Sequence, residues 1–203
     1  MSPVLEKYLP KLLISISDYN SESSHKVTTL LFHDKTGEIF AQEALVDGLN
    51  QIKDNIDKYY KSRLSIQCTP NDVAYIEAMT VVYRLEFIEI LEYIADNFSS
   101  QIAYVLPRIT ATYRMIGKPE YSIKRFLYYF NKYGAKTIYT SATFTSVSAA
   151  YKDLALKYDE GSVERERFKQ LSLMFKDLAK KQIANNANIE YLENLMMSID
   201  ANL

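Results

Sequence analysis

The chain has 203 residues, enough for one domain of typical size or for two small ones. Hydrophobic residues make up 48% and charged residues 24%, a balance typical of globular proteins and unlike that of disordered ones. Glycine and proline occur five times each in 203 residues, which is half or less of their average usage of about 7% and 5%. Sandwiches, barrels and doubly wound sheets need many turns rich in these residues, so their scarcity predicts long helices and few loops.

Residue types that carry catalysis or bind metals are scarce in the sequence. Cys68 is the only cysteine, which excludes a disulfide within the chain, and two histidines are too few for an ordinary zinc site. No two glycines lie within ten residues of each other, so phosphate-binding glycine loops are absent. We therefore predict that the protein is not an enzyme and uses no metal or cofactor.

The N-terminal residues do not resemble a signal peptide, because Glu6, Lys7, Lys11 and Asp18 interrupt the apolar positions. The sequence has no run of about 18 apolar residues, so we expect no insertion into a membrane. These two features predict a cytoplasmic or nuclear protein.

Apolar residues at helical spacing predict the elements of the first part of the chain. A first helix covers residues 3–18, and a short apolar stretch at 27–32 fits either a helix or a strand. A long helix follows at about 38–64.

The clearest helix start in the sequence is Thr69-Pro70. Threonine caps a helix N-terminus, and proline fits the first helical position, where no N–H is needed. This helix reaches about Asn97 and has apolar residues around much of its circumference, which indicates the central helix of the fold.

Further helices are predicted at about 99–116, 119–133, 139–158, 163–183 and 188–202. Ser99 or Ser100 is expected to cap the first of these, and Pro107 is expected to kink or restart it. We therefore predict an all-α fold with about eight stacked antiparallel helices, arranged as helical hairpins in a solenoid-like array or as an irregular bundle. They form a single domain over residues 1–203, with a sub-division into 1–98 and 99–203 as the alternative.

One part of the sequence contains features of helical repeats. The segment TYRMIGKPE at 112–120 precedes a helix that ends at Gly134, and the segment SAAYK follows at 148–152. Over about one third of the chain, these residues resemble helical-hairpin repeats of the tetratricopeptide or pentatricopeptide kind. The resemblance implies stacked pairs of helices.

Charge is distributed unevenly along the chain. Residues 1–98 carry 9 basic and 15 acidic side chains, residues 99–150 carry 7 and one, and residues 151–203 carry 8 and 9. The formal net charge of −1 therefore hides an acidic first half and a strongly basic middle segment.

The helix predicted at 119–133 has a basic, tyrosine-rich side within this middle segment. Its apolar side is defined by Ile123, Phe126, Leu127 and Phe130. At about 100° per residue, the cations and tyrosines of this helix point away from that side. We predict a partner-binding face around 104–136, formed by Arg108, Arg114, Lys118, Tyr121, Arg125, Tyr128, Tyr129 and Lys132.

Cations interleaved with aromatic rings suit two kinds of partner. They can anchor a protein that has an acidic or phosphorylated surface, since Tyr and Arg are enriched in interfaces. They can also neutralise RNA phosphates while bases stack on the rings. A third interpretation is that the tyrosines are solvated or covered by neighbouring helices. We favour a non-enzymatic interaction module, an adaptor or subunit of a larger assembly, with a helical RNA-binding protein as the alternative.

Two further surfaces are expected. A second, acidic face is predicted on the central helix at Glu86, Glu89, Glu92 and Asp96, which either forms a solvated stripe or docks a basic partner. The last helix has an apolar stripe at Ile189, Leu192, Met196 and Ile199. This helix is too short to be stable alone, so we expect it to dock on its own domain or, as the alternative, on a partner or, through 187–203, on a second copy of the chain.

Overall fold

A computed structural model describes residues 49–50, 53–54, 56–58, 60–61, 63–64, 68–97, 99–183 and 189–200. The helix predicted at 3–18 and the apolar stretch at 27–32 lie outside the described residues, as does the first part of the helix predicted at 38–64. The described residues between 49 and 64 are all helical.

From Pro70 onwards, the described part of the chain forms α-helices and one 3-10 helix at Ser99–Gln101, and it contains no strand. We number the α-helices α1 Pro70–Asn97, α2 Ile102–Met115, α3 Pro119–Tyr133, α4 Ala135–Ile138, α5 Ser141–Ala155, α6 Val163–Ile183 and α7 Ile189–Asp200. The prediction of an all-α fold is confirmed. The short helix α4 is the one element that the sequence pattern missed among these.

The chain divides into two compact units, Met1–Tyr93 and Ile94–Leu203, with the boundary inside α1. This partition does not test the domain prediction, which placed one domain over residues 1–203 with a sub-division after residue 98. That assignment and the resemblance to helical-hairpin repeats both stay predictions.

The start of α1 is a reciprocal cap made by Thr69 and Asp72. The backbone N–H and the hydroxyl of Thr69 donate to the Asp72 carboxylate at 2.9 and 2.7 Å, and the Asp72 N–H donates to Thr69 Oγ1 at 3.3 Å. These bonds satisfy N–H groups that the first helical turn leaves without partners. Hydrogen bonding from Thr69 also holds the pKa of the Asp72 carboxyl below its usual value. The predicted start of this helix is confirmed.

Replacing Thr69 by Ala is expected to lower the free energy of unfolding by about 0.5–2 kcal/mol, because the cap is lost. Thr69→Ser keeps the hydroxyl and is the matched control, so it should behave like the unchanged protein. Urea denaturation at neutral pH measures both. Equal stability of the Ala and Ser variants would show that the cap contributes nothing.

The same cap has an expected pH dependence. Because the pKa of Asp72 is lower in the folded protein, the cap stabilises above the usual pKa of an aspartate and fades as pH falls below it. The difference between the Thr69→Ala variant and the unchanged protein should therefore shrink in acid.

Two local predictions for α2 are wrong. Ser99 and Ser100 do not cap it, since both lie in the 3-10 helix and Gln101 holds the N-cap position without a side-chain hydrogen bond. The helix does not restart at Pro107 but contains it, and the alternative, a kink at Pro107, stays a prediction. Proline removes a single N–H here, whose helical acceptor would be the carbonyl of Ala103 in the first turn.

The core of the unit Ile94–Leu203 is built around aromatic rings from three helices. The ring of Phe175 on α6 meets Phe126 of α3 edge-on, with centroids 5.5 Å apart. It also stacks on Tyr151 of α5 at 5.6 Å and contacts Phe144 at 6.1 Å. All four residues are fully buried. Because these rings come from three helices, they fix how α3, α5 and α6 pack together.

Polar bonds connect α2 to its neighbours. The Ser122 hydroxyl of α3 donates to the Thr110 carbonyl at 2.9 Å, and the hydroxyls of Thr110 and Ser146 are hydrogen-bonded at 2.6 Å. These buried polar groups are therefore satisfied inside the helix packing rather than by water.

Candidate functional site

The bounds of α3 follow from residues at its two ends. Pro119 occupies the first helical position after Lys118, and the helix ends at Gly134, whose φ of +78° suits glycine. Ile123 and Phe126 are buried as predicted. The helix is thus a rigid element with one side held in the core.

On the exposed side of α3, Tyr121 has two cations over its ring. The ammonium groups of Lys118 and Lys124 lie 5.5 and 5.9 Å from the ring centroid, and 46% of Tyr121 is exposed. Tyr113 of α2 stacks on the same residue, with centroids 5.8 Å apart and planes inclined by 21°. This ring is therefore held in place although nearly half of the residue is exposed.

Two turns later, Tyr128 repeats the arrangement. The guanidinium of Arg125 and the ammonium of Lys132 lie 6.0 and 5.8 Å from its ring centroid, and 45% of the residue is exposed. Residues three and four apart are neighbours on a helix surface, which explains why cations and rings alternate. We call this surface the α3 face and define it by Lys118, Tyr121, Lys124, Arg125, Tyr128 and Lys132.

Tyr129 was predicted to lie on the same face, but it is fully buried, with 0% exposure. Its ring contacts Tyr128 edge-on at 4.9 Å and stacks on Tyr133 at 6.1 Å. The C-terminal end of α1 approaches the same part of α3, where the Tyr133 hydroxyl donates to the carbonyl of Ala95 and the Lys132 ammonium pairs with Asp96. Phe130, which the pattern assigned to the core, is only half-buried.

Two of the predicted anchors are ion-paired within the unit Ile94–Leu203. Arg114 Nε lies 2.7 Å from the Asp153 carboxylate on α5, and Lys132 Nζ lies 2.8 Å from the carboxylate of Asp96. The hydrogen bond to Asp96 raises the pKa of the Lys132 ammonium above its usual value. In the folded protein, carboxylates from other parts of the chain therefore neutralise part of the positive charge of the basic middle segment.

Arg108 also makes contacts within α2. Its guanidinium donates to the carbonyl of Tyr104 at 2.6 Å, and burial lowers the pKa of the group. Because Arg108 and Arg114 belong to α2 and are engaged in this way, we leave both out of the α3 face.

Lys124 is the residue of the α3 face that the sequence analysis missed. It follows Tyr121 by three residues and precedes Tyr128 by four, a spacing that places it between the two exposed rings. The signal was therefore present in the sequence.

The predicted acidic face is divided between the two units. Glu86, Glu89 and Glu92 belong to Met1–Tyr93, whereas Asp96 belongs to Ile94–Leu203 and pairs with Lys132. Glu89 and Asp96 are exposed, and Glu86 and Glu92 are half-buried. A role for the first three residues in docking stays a prediction.

The apolar stripe of α7 is buried inside its own unit. Leu192, Leu195, Met196 and Ile199 are all buried, and α7 packs against α4. The side chain of Ile189 lies outside the described part. The structure therefore shows the first of the two predicted arrangements, docking on the same chain.

Within the described ranges, no group of three or more His, Cys, Asp or Glu side chains is placed to hold a metal ion. No helix in the same part of the chain has the length and apolar character needed to cross a membrane. Comparisons with protein-family models, with curated proteins and with solved structures gave no match.

Proposed function

We propose that the protein is a non-enzymatic α-helical interaction module, an adaptor or subunit of a larger assembly, that binds an acidic or phosphorylated protein surface through the α3 face. The observation that carries this proposal is that both tyrosines of the α3 face, Tyr121 and Tyr128, each have two cations over the ring on one helix. Tyrosine and cationic side chains of this kind anchor protein interfaces. A cytoplasmic or nuclear location is part of the proposal.

Two cations of the α3 face have positive charge available for a partner. In the described part of the chain, no carboxylate lies within 4 Å of Lys118 or Lys124. Both ammonium groups rest over Tyr121, a contact worth about 0.5–1 kcal/mol at an exposed site. This contact orders the two lysine side chains before binding, so less side-chain conformational entropy is lost when a partner binds.

RNA binding through the α3 face is the second candidate, and the ring geometry disfavours it. A base stacks on an open aromatic face, but Tyr121 already contacts Tyr113, Lys118 and Lys124. Pairing of Lys132 with Asp96 further reduces the charge that could neutralise phosphates. Tyr121 is still 46% exposed, so it can contact a protein surface without offering an open ring face to a base.

The test is site-specific photocrosslinking from residue 128 in the native cell, with benzoylphenylalanine in place of Tyr128. We expect crosslinked proteins that persist after nuclease treatment. Adding Lys118→Glu and Lys124→Glu should reduce their yield by about tenfold or more, because two anchors are reversed. The matched control is Arg167→Glu with Lys180→Glu, which changes the net charge equally at two exposed positions of α6.

Exposed charges contribute little to stability, so both double variants should melt within about a few degrees of the unchanged protein. Equal crosslinking in both variants would overturn the proposal. Crosslinks that disappear with nuclease would favour the RNA-binding candidate instead.

A further inference from the structure

A groove lies between α5 and α6, and none of its described lining residues belongs to the α3 face. Ser148 and Ser172 bring these two helices together, since the Ser148 hydroxyl donates to the Ser172 carbonyl at 2.7 Å and the Ser172 hydroxyl donates back at 2.8 Å. Small side chains at such a contact allow the backbones to approach closely. The longer side chains on either side of it then form walls.

The groove has a volume of about 580 Å³, and its walls are cationic. They include Lys152, Arg165, Lys169 and Lys176, and none of the described residues that line the groove is Asp or Glu. Clefts lined by charges of one sign concentrate their electrostatic potential. The groove therefore attracts anionic groups.

Little of this charge is neutralised within the protein. In the part of the chain that the structure describes, no carboxylate lies within 4 Å of Lys152 or Lys176, and Lys169 pairs only with Glu166 on its own helix, at 2.5 Å. The Arg165 guanidinium donates to the Tyr158 carbonyl at 3.1 Å, but its Nε is buried and has no acceptor among the described residues. Burying a donor without an acceptor is unfavourable, and no carboxylate among the described residues lies within 4 Å of this guanidinium.

Two leucines give the groove an apolar component. Leu156 and Leu173 both line it, and each is 64% exposed. Exposed apolar side chains rimmed by charged ones are typical of protein-binding surfaces. Among the lining residues that the structure describes, none has an aromatic ring on which a nucleic-acid base would stack.

We propose that this groove docks an acidic amphipathic helix of a partner protein. The apolar side of that helix contacts Leu156 and Leu173, and its carboxylates face Lys152, Lys169 and Lys176. A groove between two helices suits a third helix that inserts side chains at positions i, i+3, i+4 and i+7. Charge complementarity selects an acidic one.

The test uses a fluorescein-labelled synthetic peptide of about 18 residues, or five helical turns, with leucines along one side and glutamates elsewhere. Fluorescence anisotropy measures its binding to the full chain. We expect Lys152→Glu with Lys176→Glu to weaken binding by about tenfold or more. The matched control, Arg167→Glu with Lys180→Glu on α6, should change the affinity by less than about twofold.

A second variant separates apolar docking from simple charge attraction. Leu173→Gln removes an exposed leucine, so the protein should fold normally, and binding should fall several-fold. A peptide of the same composition, with leucines spread around the helix, should bind about tenfold more weakly. Equal binding of both peptides, equal loss in both charge variants, no binding at all, or tighter binding of single-stranded RNA would each overturn the proposal.

The inference is independent of the function proposed for the α3 face. Lys118→Glu with Lys124→Glu should leave peptide binding unchanged, and Lys152→Glu with Lys176→Glu should leave the residue-128 crosslinks unchanged. Each surface thus serves as a control for the other.

Discussion

Replacing Phe126 by Ala is expected to lower the free energy of unfolding by about 3–5 kcal/mol. The ring is fully buried and meets Phe175 edge-on at 5.5 Å, so truncation leaves a cavity at the junction of α3, α5 and α6. The lost aromatic contact adds about 0.5–1.5 kcal/mol to the loss of buried area. Urea or thermal denaturation followed by circular dichroism measures the change.

Phe130→Ala is the matched control, because it removes the same side chain one turn later on the same helix. Phe130 is only half-buried, with its ring centroid 6.3 Å from that of Phe126, so we expect a loss of about 1–2 kcal/mol. The sequence pattern treated these two phenylalanines alike, whereas the structure separates them. Equal losses in the two variants would contradict the burial described for α3.

The helices were predictable from the sequence because their signals are local. Thr69-Pro70 starts α1, Pro119 starts α3 and Gly134 ends it, each through the chemistry of one or two residues. The pattern likewise placed a helix at 163–183, where α6 lies. Such signals need no knowledge of what packs against the helix.

The orientation of α3 was predictable only in part. A periodic pattern gives one direction towards the core, and it placed Phe126 correctly. It cannot show that Tyr129 is enclosed in the fold while Phe130 is only half-buried. Packing in the folded chain therefore decided which tyrosines belong to the candidate site.

Charge pairing was hidden from the sequence for a similar reason. Asp96 and Lys132 are 36 residues apart, and Arg114 and Asp153 are 39 apart, yet each pair is in contact. Counting charges by segment placed the two members of each pair in different segments. The groove between α5 and α6 could not be predicted either, since its cations come from two helices that meet only in the folded chain.

Deleting residues 187–203 is expected to abolish the cooperative thermal unfolding of the unit Ile94–Leu203. The deletion removes Leu192, Leu195, Met196 and Ile199, all of which are buried in that unit. Full burial of such a side chain contributes about 1.5–3 kcal/mol. Four of them together are comparable to the entire stability of a typical domain, about 5–15 kcal/mol.

The physical reason for this expectation is that the apolar side chains of α7 are buried within a single chain, without a second copy. It packs against α4, and the Lys181 ammonium of α6 lies 5.3 Å from the ring centroid of Tyr191. Met197→Ala is the control on the same helix, since 65% of Met197 is exposed and its loss should cost little. Light scattering measures the mass of the full chain and of the deletion variant. A stable, folded monomer obtained by deletion from a full-length oligomer would contradict this account and assign α7 to an interface between copies.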